Sequence, residues 1–407
     1  MFRKTVLPNG VRVVSEALPH FHSVSLGVWI NTGSRDETAR ENGLAHFLEH
    51  MAFKGTPRRS ALVLAQEIDQ LGGAANAFTT KENTCFHGKV LAAELPRLLD
   101  ILSDITLYPV YDPHELEKER QVILQEICNT EDTPDDHVHD LFSQCFWSDC
   151  AFGRPILGLA ESVSRFSRPL LLQYRQTHYN PDRLVIAAAG HLEHDVLVDL
   201  VAEAFGHLAN GSRRTPRPAI ATSPGFHHYE RDLEQVHVVL GGQAPAAGDD
   251  DRFVAVLLNL ILGGNMSSRL FQEIRENLGL CYSIYSFLHC YSDTGLLGIA
   301  GAVSPDNLEL LLATVRQELH KLQQKLVSAE ELQAALDYSR ASFYLSAEDS
   351  DNRMLRLAKN EINFGRYLSY EEILAHLAAV TPTQIREMAQ VWLNLDTWQT
   401  VCLGPGR

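Results

Sequence analysis

Residues His46-Phe47-Leu48-Glu49-His50 set two imidazoles four positions apart, with a carboxylate directly before the second. On a helix, residues four apart stand one above the other on the same face, so this spacing lets both rings share one ligand. The flanking residues predict such a helix over 37–54. Leu44, Phe47, Leu48 and Met51 fall at i, i+3, i+4 and i+7 and form one apolar stripe, the pattern of a face packed on a core. His46, Glu49, His50 and Phe53 repeat that spacing on a second side. Gly55 and then Pro57 supply stop signals. A helix with one core face and a separate face gathering His, Glu and His has the make-up of a site wall.

Two neutral imidazoles at this spacing suit a transition metal such as zinc. A catalytic zinc needs a third protein ligand and an open position for water. The best candidate for completing the set lies on a second predicted helix, 115–129, with Asp112 as N-cap, Pro113 in the first turn and Glu115 in a capping-box-like position. Leu116, Ile123 and Ile127 form its core stripe, and Glu119 and Glu126 lie seven apart at the stripe's edge. A carboxylate held there without a partner is costly, and a cation relieves the cost. Two solvated glutamates on a charged helix are the competing reading of the same residues.

The rest of the chain narrows the function classes. Its formal charge of −16 opposes general nucleic-acid binding, which needs a basic face to replace phosphate counterions. Seven cysteines in 407 residues, with no C-x-x-C pair, read as reduced thiols and not as a disulfide framework. No apolar run is long enough to span a bilayer. Arg3 and Lys4 are followed by no secretory apolar region, and Pro8-Asn9-Gly10 reads as a hairpin turn between two short strands. The expected location is cytoplasmic, or the mitochondrial matrix if a presequence has been removed.

Residues 209–225 carry three prolines and two glycines and mark a boundary. The predicted division is 1–210 as a metal-binding catalytic domain, 211–225 as a linker and 226–407 as a metal-free domain. The first half reads as strand 22–30, helices 37–54 and 61–71, strand 74–90, then helices 92–106 and 113–129. The second half repeats the plan with strand 235–241, helices 251–263 and 267–277, strands 280–288 and 294–303, then helices 304–325 and 328–346. The expected fold class is α+β, with two duplicated domains, each a mostly antiparallel sheet with helices packed on one face.

With these motifs the sequence resembles the pitrilysin family of inverted-motif zinc peptidases, in its two-domain, mitochondrial-processing-peptidase-like subgroup. The resemblance rests on Gly43 through Thr56, on Glu119 through Glu126, on Asn76-Ala77-Phe78-Thr79, on Gly263 through Phe271 and on Arg275 through Tyr282. The separation from His50 to Glu126, 126 − 50 = 76, is that of the family. The resemblance implies one Zn2+ per chain, held by His46, His50 and Glu126, with Glu119 orienting a ligand from behind. It implies Glu49 as the general base of a zinc endopeptidase acting on peptides or unfolded segments. It also implies Asn76, Ala77, Phe78 and Thr79 as a substrate-binding edge strand, and Arg275 and Tyr282 as peptide contacts from a second domain that completes the substrate chamber. Subunits of the subgroup pair, so a homodimer or a heterodimer with a related subunit is expected. The alternative is a non-catalytic substrate-binding or core-type subunit on the same fold, and such members typically lose a ligand or the base. His137, His139, His191, His194, His227 and His228 belong to no helical i, i+4 pair and are expected at the surface.

Overall fold

Ser23–Ile30 alternates Val24, Leu26, Val28 and Ile30 with Ser25, Gly27 and Trp29, and all seven are buried. A strand buried on both sides needs cover on both faces of its sheet. The computed structural model, which describes residues 1–148, 150–209, 217–218 and 220–406, provides that cover with helices from distant parts of the chain.

Numbered in chain order, the strands are β1 (Phe2–Val6), β2 (Arg12–Ala17), β3 (Ser23–Ile30), β4 (Ala74–Thr79), β5 (Thr84–Leu91), β6 (Leu184–Gly190), β7 (Gly225–Glu230), β8 (Val236–Ala244), β9 (Ile284–Cys290), β10 (Gly295–Val303) and β11 (Gln399–Gly404). The first helices are α1 (Leu44–Ala52), α2 (Ala61–Gln70), α3 (Leu95–Leu107), α4 (Pro113–Glu131), α5 (Pro134–Phe146), α6 (Ala160–Val163), α7 (Arg168–His178) and α8 (His194–Phe205). They are followed by α9 (Arg252–Asn259), α10 (Leu308–Gln324), α11 (Ala329–Ser346), α12 (Ser350–Phe364), α13 (Tyr370–Ala378) and α14 (Pro382–Trp392).

The chain forms two compact units. Unit 1 comprises Met1–Cys128, Arg154–Pro218 and Leu345–Tyr367, and unit 2 comprises Asn129–Gly153, Ala219–Tyr344 and Leu368–Arg407. A cut near residue 210 therefore separates the strands but not the helices, because α5 and α12 each belong with the sheet of the opposite sequence half.

The sheet of unit 1 runs β1-β2-β6-β3-β5-β4, with β2 and β6 parallel and every other pair antiparallel. That of unit 2 runs β7-β11-β8-β10-β9, with β7 and β11 parallel and the rest antiparallel. The order β2-β6-β3-β5-β4 thus recurs as β7-β11-β8-β10-β9 with the same pairings. This is the duplicated, mostly antiparallel α+β plan, with β1 as an addition to unit 1. β1 and β2 form the expected hairpin, with Val6 opposite Arg12 and Gly10 at φ 96 in the turn.

In unit 1, Leu98, Leu102 and Ile105 of α3 and Leu197, Val201 and Phe205 of α8 pack with Val24, Leu26, Val28 and Ile30 on one face of the sheet. The expectation of helices on one face needs correction here: the other face carries α12, whose Met354 and Leu357 meet Trp29, Val14, Cys85 and Val185. Gly27 allows this approach, since a Cβ there would lie 2.7 Å from Met354 Sδ. Unit 2 repeats the arrangement. Leu311 and Leu319 of α10 and Ile385 of α14 share one core with β8, while Val138, Phe142 and Phe146 of α5 pack with Val239, Leu296 and Val401 in another.

A separate apolar cluster places the helices that matter most for the site. Leu44, Phe47, Leu48 and Met51 of α1 pack with Leu116, Ile123 and Ile127 of α4 and with Leu171 and Tyr174 of α7. The two stripes read from the sequence thus face each other, which brings the polar edges of α1 and α4 together.

Some boundaries differ from the sequence reading for clear reasons. The segment 74–90 is a hairpin of β4 and β5, turned at Thr80–Asn83, where the Thr80 N–H bonds to the Asn83 carbonyl at 2.7 Å. α1 begins only at Leu44, because Gly43 at φ 94 cannot continue a right-handed helix backwards. Residues 260–264 and 271–277 form wide π-type turns where regular helix was expected. No helix among the described residues is long and apolar enough to cross a membrane.

Candidate metal centre

With their stripes interlocked, α1 and α4 bring three donors together. His46 Nε2 lies 3.8 Å and His50 Nε2 3.6 Å from Glu126 Oε2. The two imidazole centroids are 4.6 Å apart. Among the described residues, His46, His50 and Glu126 form a group of donors whose ligating atoms all lie within 4.8 Å of one another. A tetrahedral zinc with bonds near 2.1 Å has ligand–ligand edges of about 3.4 Å. The two His–Glu separations stand only slightly wider than that, and the N, N, O donor set suits the ion.

The electrostatics agree with the fit. Burial first, and then the neighbouring His50, push His46 down to about 3, which keeps its ring neutral with a free lone pair. Burial also lowers His50. The hydrogen bond His50 donates to Glu119 and the charges of Glu126, Glu119 and Glu49 outweigh it, and His50 ends above its usual value. His50 therefore sits in a field built to hold positive charge.

Glu119 works from behind. His50 Nδ1 lies 3.0 Å from Glu119 Oε2, which leaves Nε2 pointing toward Glu126. Such a bond fixes the tautomer and orientation of a ligating ring. Glu119 is buried and also pairs with Lys54, two residues past the end of α1. The two glutamates of α4, seven apart, thus differ in environment. The side chain of Glu119 is 7% exposed, whereas that of Glu126 is 42% exposed and open to a ligand.

Glu49 lies on α1 between the two histidines and is 9% exposed. Burial raises its affinity for a proton. The hydrogen bond from Thr79 and the charge of His50 oppose this, and Glu126 adds to it. Thr79 is the last residue of β4, and its hydroxyl donates to Glu49 Oε2 at 2.6 Å. β4 is the edge of its sheet and, among the described residues, pairs with β5 alone; on its outer side the Ala77 N–H donates to the Asn76 side chain at 2.8 Å. Asn76 is exposed, Ala77 and Phe78 are half-buried, and the Phe78 ring meets Trp29 edge-on at 5.4 Å.

Sequence reasoning missed Glu37. Its oxygens accept hydrogen bonds from the backbone N–H of Gly43 at 2.9 Å and of Ala45 at 2.7 Å, the first amides of α1. The one available signal was an acidic residue upstream of a helix whose N-cap position is glycine, a weak cue at a distance of six residues.

Arg275 and Tyr282 come together in unit 2. The guanidinium lies 5.4 Å from the Tyr282 ring and 4.7 Å from that of Phe271, and Tyr282 is 86% exposed. The expectation of six surface histidines needs correction at His194. It is 4% exposed, with Nδ1 2.7 Å from Ser15 Oγ and Nε2 2.9 Å from Thr5 Oγ1. Two hydroxyls satisfy both ring nitrogens and make its burial affordable. His139 is half-buried beside Tyr285 and Phe287. All seven cysteines are free thiols.

A family model described as insulinase, peptidase family M16, matches residues 12–159, and one described as the peptidase M16 inactive domain matches residues 165–338. An uncharacterized zinc protease of Mycobacterium tuberculosis is 40% identical over 408 residues, covering 99% of this chain and 93% of that protein. An uncharacterized zinc protease of Bacillus subtilis is 39% identical over 400 residues, covering 97% of each. In fold, the chain is similar to a protease from Helicobacter pylori, with a TM-score of 0.94, 21% identity and coverage of 100% of this chain and 99% of that one. It is also similar to a Pseudomonas fluorescens structure described as a peptidase M16 inactive domain, with a TM-score of 0.92, 20% identity and coverage of 100% and 98%.

Proposed function

Because the chain belongs to peptidase family M16, the insulinase or pitrilysin family, we propose that it is a zinc-dependent endopeptidase acting on peptides or unfolded segments. The observation that carries this reading is the convergence of His46, His50 and Glu126 from two helices, with Glu49 on the same face of α1 as both rings. A binding-only subunit has no need to keep both the donors and the base.

In this reading His46 and His50 of α1 and Glu126 of α4 hold the ion, and Glu119 keeps the His50 ring in its ligating tautomer. When bound, zinc polarises the scissile carbonyl and lowers the pKa of water toward ~7. Glu49 takes the proton from the attacking water and returns it to the leaving amine. Its burial suits the base role, because desolvation raises the carboxyl's proton affinity above that of a solvated glutamate. The outer edge of β4 receives the substrate as an added strand. Its main chain supplies binding with little dependence on side chains, so varied sequences are accepted. Arg275 and Tyr282 are assigned to the bound peptide on the family resemblance.

Metal analysis of the purified chain and of Glu49→Gln tests the reading, alongside turnover of an unstructured peptide. About one zinc per chain is expected in both forms, with hydrolysis abolished in the variant. A chain that takes up no zinc, or turnover that survives Glu49→Gln, overturns it.

A further inference from the structure

α1 is nine residues long, too short to hold its shape without tertiary support, yet three residues of the proposed chemistry sit on it. Its N-terminus has an unusual problem. The N-cap is Gly43 at φ 94, and a Cβ there would lie 2.6 Å from the Leu157 carbonyl oxygen and 2.7 Å from Gly158 Cα. No residue with a capping side chain fits this position. The first amides of the helix must therefore find acceptors elsewhere or stay unsatisfied in a buried place.

Glu37 provides the acceptors from outside the helix. One oxygen takes the Gly43 N–H and, at 3.5 Å, the Asn42 amide, and the other takes the Ala45 N–H. Glu37 is 3% exposed and is itself held in place: Arg154 donates to its backbone carbonyl at 2.6 Å, and Asn42 donates to the Pro155 carbonyl at 2.9 Å. Ala45 immediately precedes His46. The far end of the site has its own tether, through Glu119 to His50 and Lys54.

We infer that Glu37 is a positioning residue for the metal site, clamping the first turn of α1 so that His46 stays in register with His50 and Glu126. The inference rests on the metallopeptidase reading. Releasing Glu37 frees the His46 end of the helix while Glu119 keeps the His50 end. The loss therefore falls on metal affinity and on turnover more than on substrate binding along β4.

The test compares wild type with Glu37→Ala and the isosteric Glu37→Gln. It measures zinc affinity by chelator competition, kcat and KM on one peptide, and melting of the zinc-free protein. Glu37→Ala is expected to weaken zinc binding by about 10–100-fold and to lower kcat, with KM nearly unchanged. Glu37→Gln keeps one carbonyl oxygen for Ala45 but turns an NH2 group toward the Gly43 N–H. It should fold and show a smaller loss in the same direction, which decides the matter if the alanine variant fails to fold. Wild-type zinc affinity in Glu37→Gln, even with lowered melting, reduces Glu37 to a general structural role and overturns the inference. A wild-type chain without zinc would instead remove the metallopeptidase reading on which the inference stands.

Discussion

Thr79 donates a hydrogen bond of 2.6 Å to Glu49, and this single contact joins the edge strand of the sheet to the buried carboxyl of α1. The residue that ends the proposed substrate strand also fixes the rotamer of the proposed base. In the proposed mechanism, peptide docking along β4 and proton transfer at Glu49 share one mechanical link.

Thr79→Val keeps the shape of the side chain and removes the donor. We expect kcat to fall about 10–100-fold, with zinc content unchanged and KM within a factor of two or so, because β4 pairs through its backbone. Thr79→Ser restores the hydroxyl and should recover most of the rate. Steady-state kinetics with metal analysis checks this, and an equal drop in both variants would point to packing at β4 instead of the hydrogen bond.

A second prediction concerns Gly43. Its left-handed backbone and the close approach of Leu157 and Gly158 leave no space for a methyl group. Gly43→Ala should cost more than ~2 kcal/mol in unfolding free energy, from backbone strain and contact with main chain that cannot move aside. Denaturant titration of the zinc-free protein measures it. A near-neutral result would mean that the 157–158 segment yields easily.

The His-Glu-His face and the stripe behind it were legible in the sequence because helical periodicity is local. The same holds for the α4 stripe, and opposing two such stripes was enough to put Glu126 near both imidazoles. What periodicity cannot convey is which distant segment covers a given face. Trp29, mid-strand in β3, needed a partner, and it found Met354 more than three hundred residues away, at 3.4 Å from its indole N–H. The placement of α12 in unit 1 and of α5 in unit 2 is of this kind. Glu37 was hidden for a related reason. Its task is set by the absence of a side chain at Gly43, and such a vacancy leaves no pattern of its own.

Acidity acts on the same clamp. Burial pushes the Glu37 carboxyl from about 4.5 up to about 8, against the pull of the Ala45, Gly43 and Asn42 donors and of Arg154. A folded-state value above the unfolded one means that the native protein retains a proton the unfolded chain has released. This contribution to stability is fully present below about pH 4.5 and is lost as pH rises through about 8. The zinc-free protein should therefore melt at progressively lower temperature across that window, with a shallower decline in Glu37→Gln. Calorimetry of both at matched pH values checks the slope, and parallel curves would show that Glu37 does not set it.

The last prediction separates the two glutamates of α4. Glu126 is half-exposed and contributes little to packing, so Glu126→Gln should leave the melting of the zinc-free protein nearly unchanged, within about 0.5 kcal/mol. It should still abolish tight zinc binding, since a neutral amide is a poor replacement for an anionic ligand. Glu119 is buried and joined to both His50 and Lys54. Glu119→Gln leaves Lys54 without its counter-charge and should destabilise the zinc-free protein by about 1–3 kcal/mol, while weakening zinc binding by about 10–100-fold. The two variants thus differ in opposite senses: one loses metal and keeps its fold, the other loses stability and keeps some metal. Thermal melts and zinc competition on both, side by side, measure the contrast. If Glu126→Gln binds zinc as wild type does, the third ligand has to be sought elsewhere.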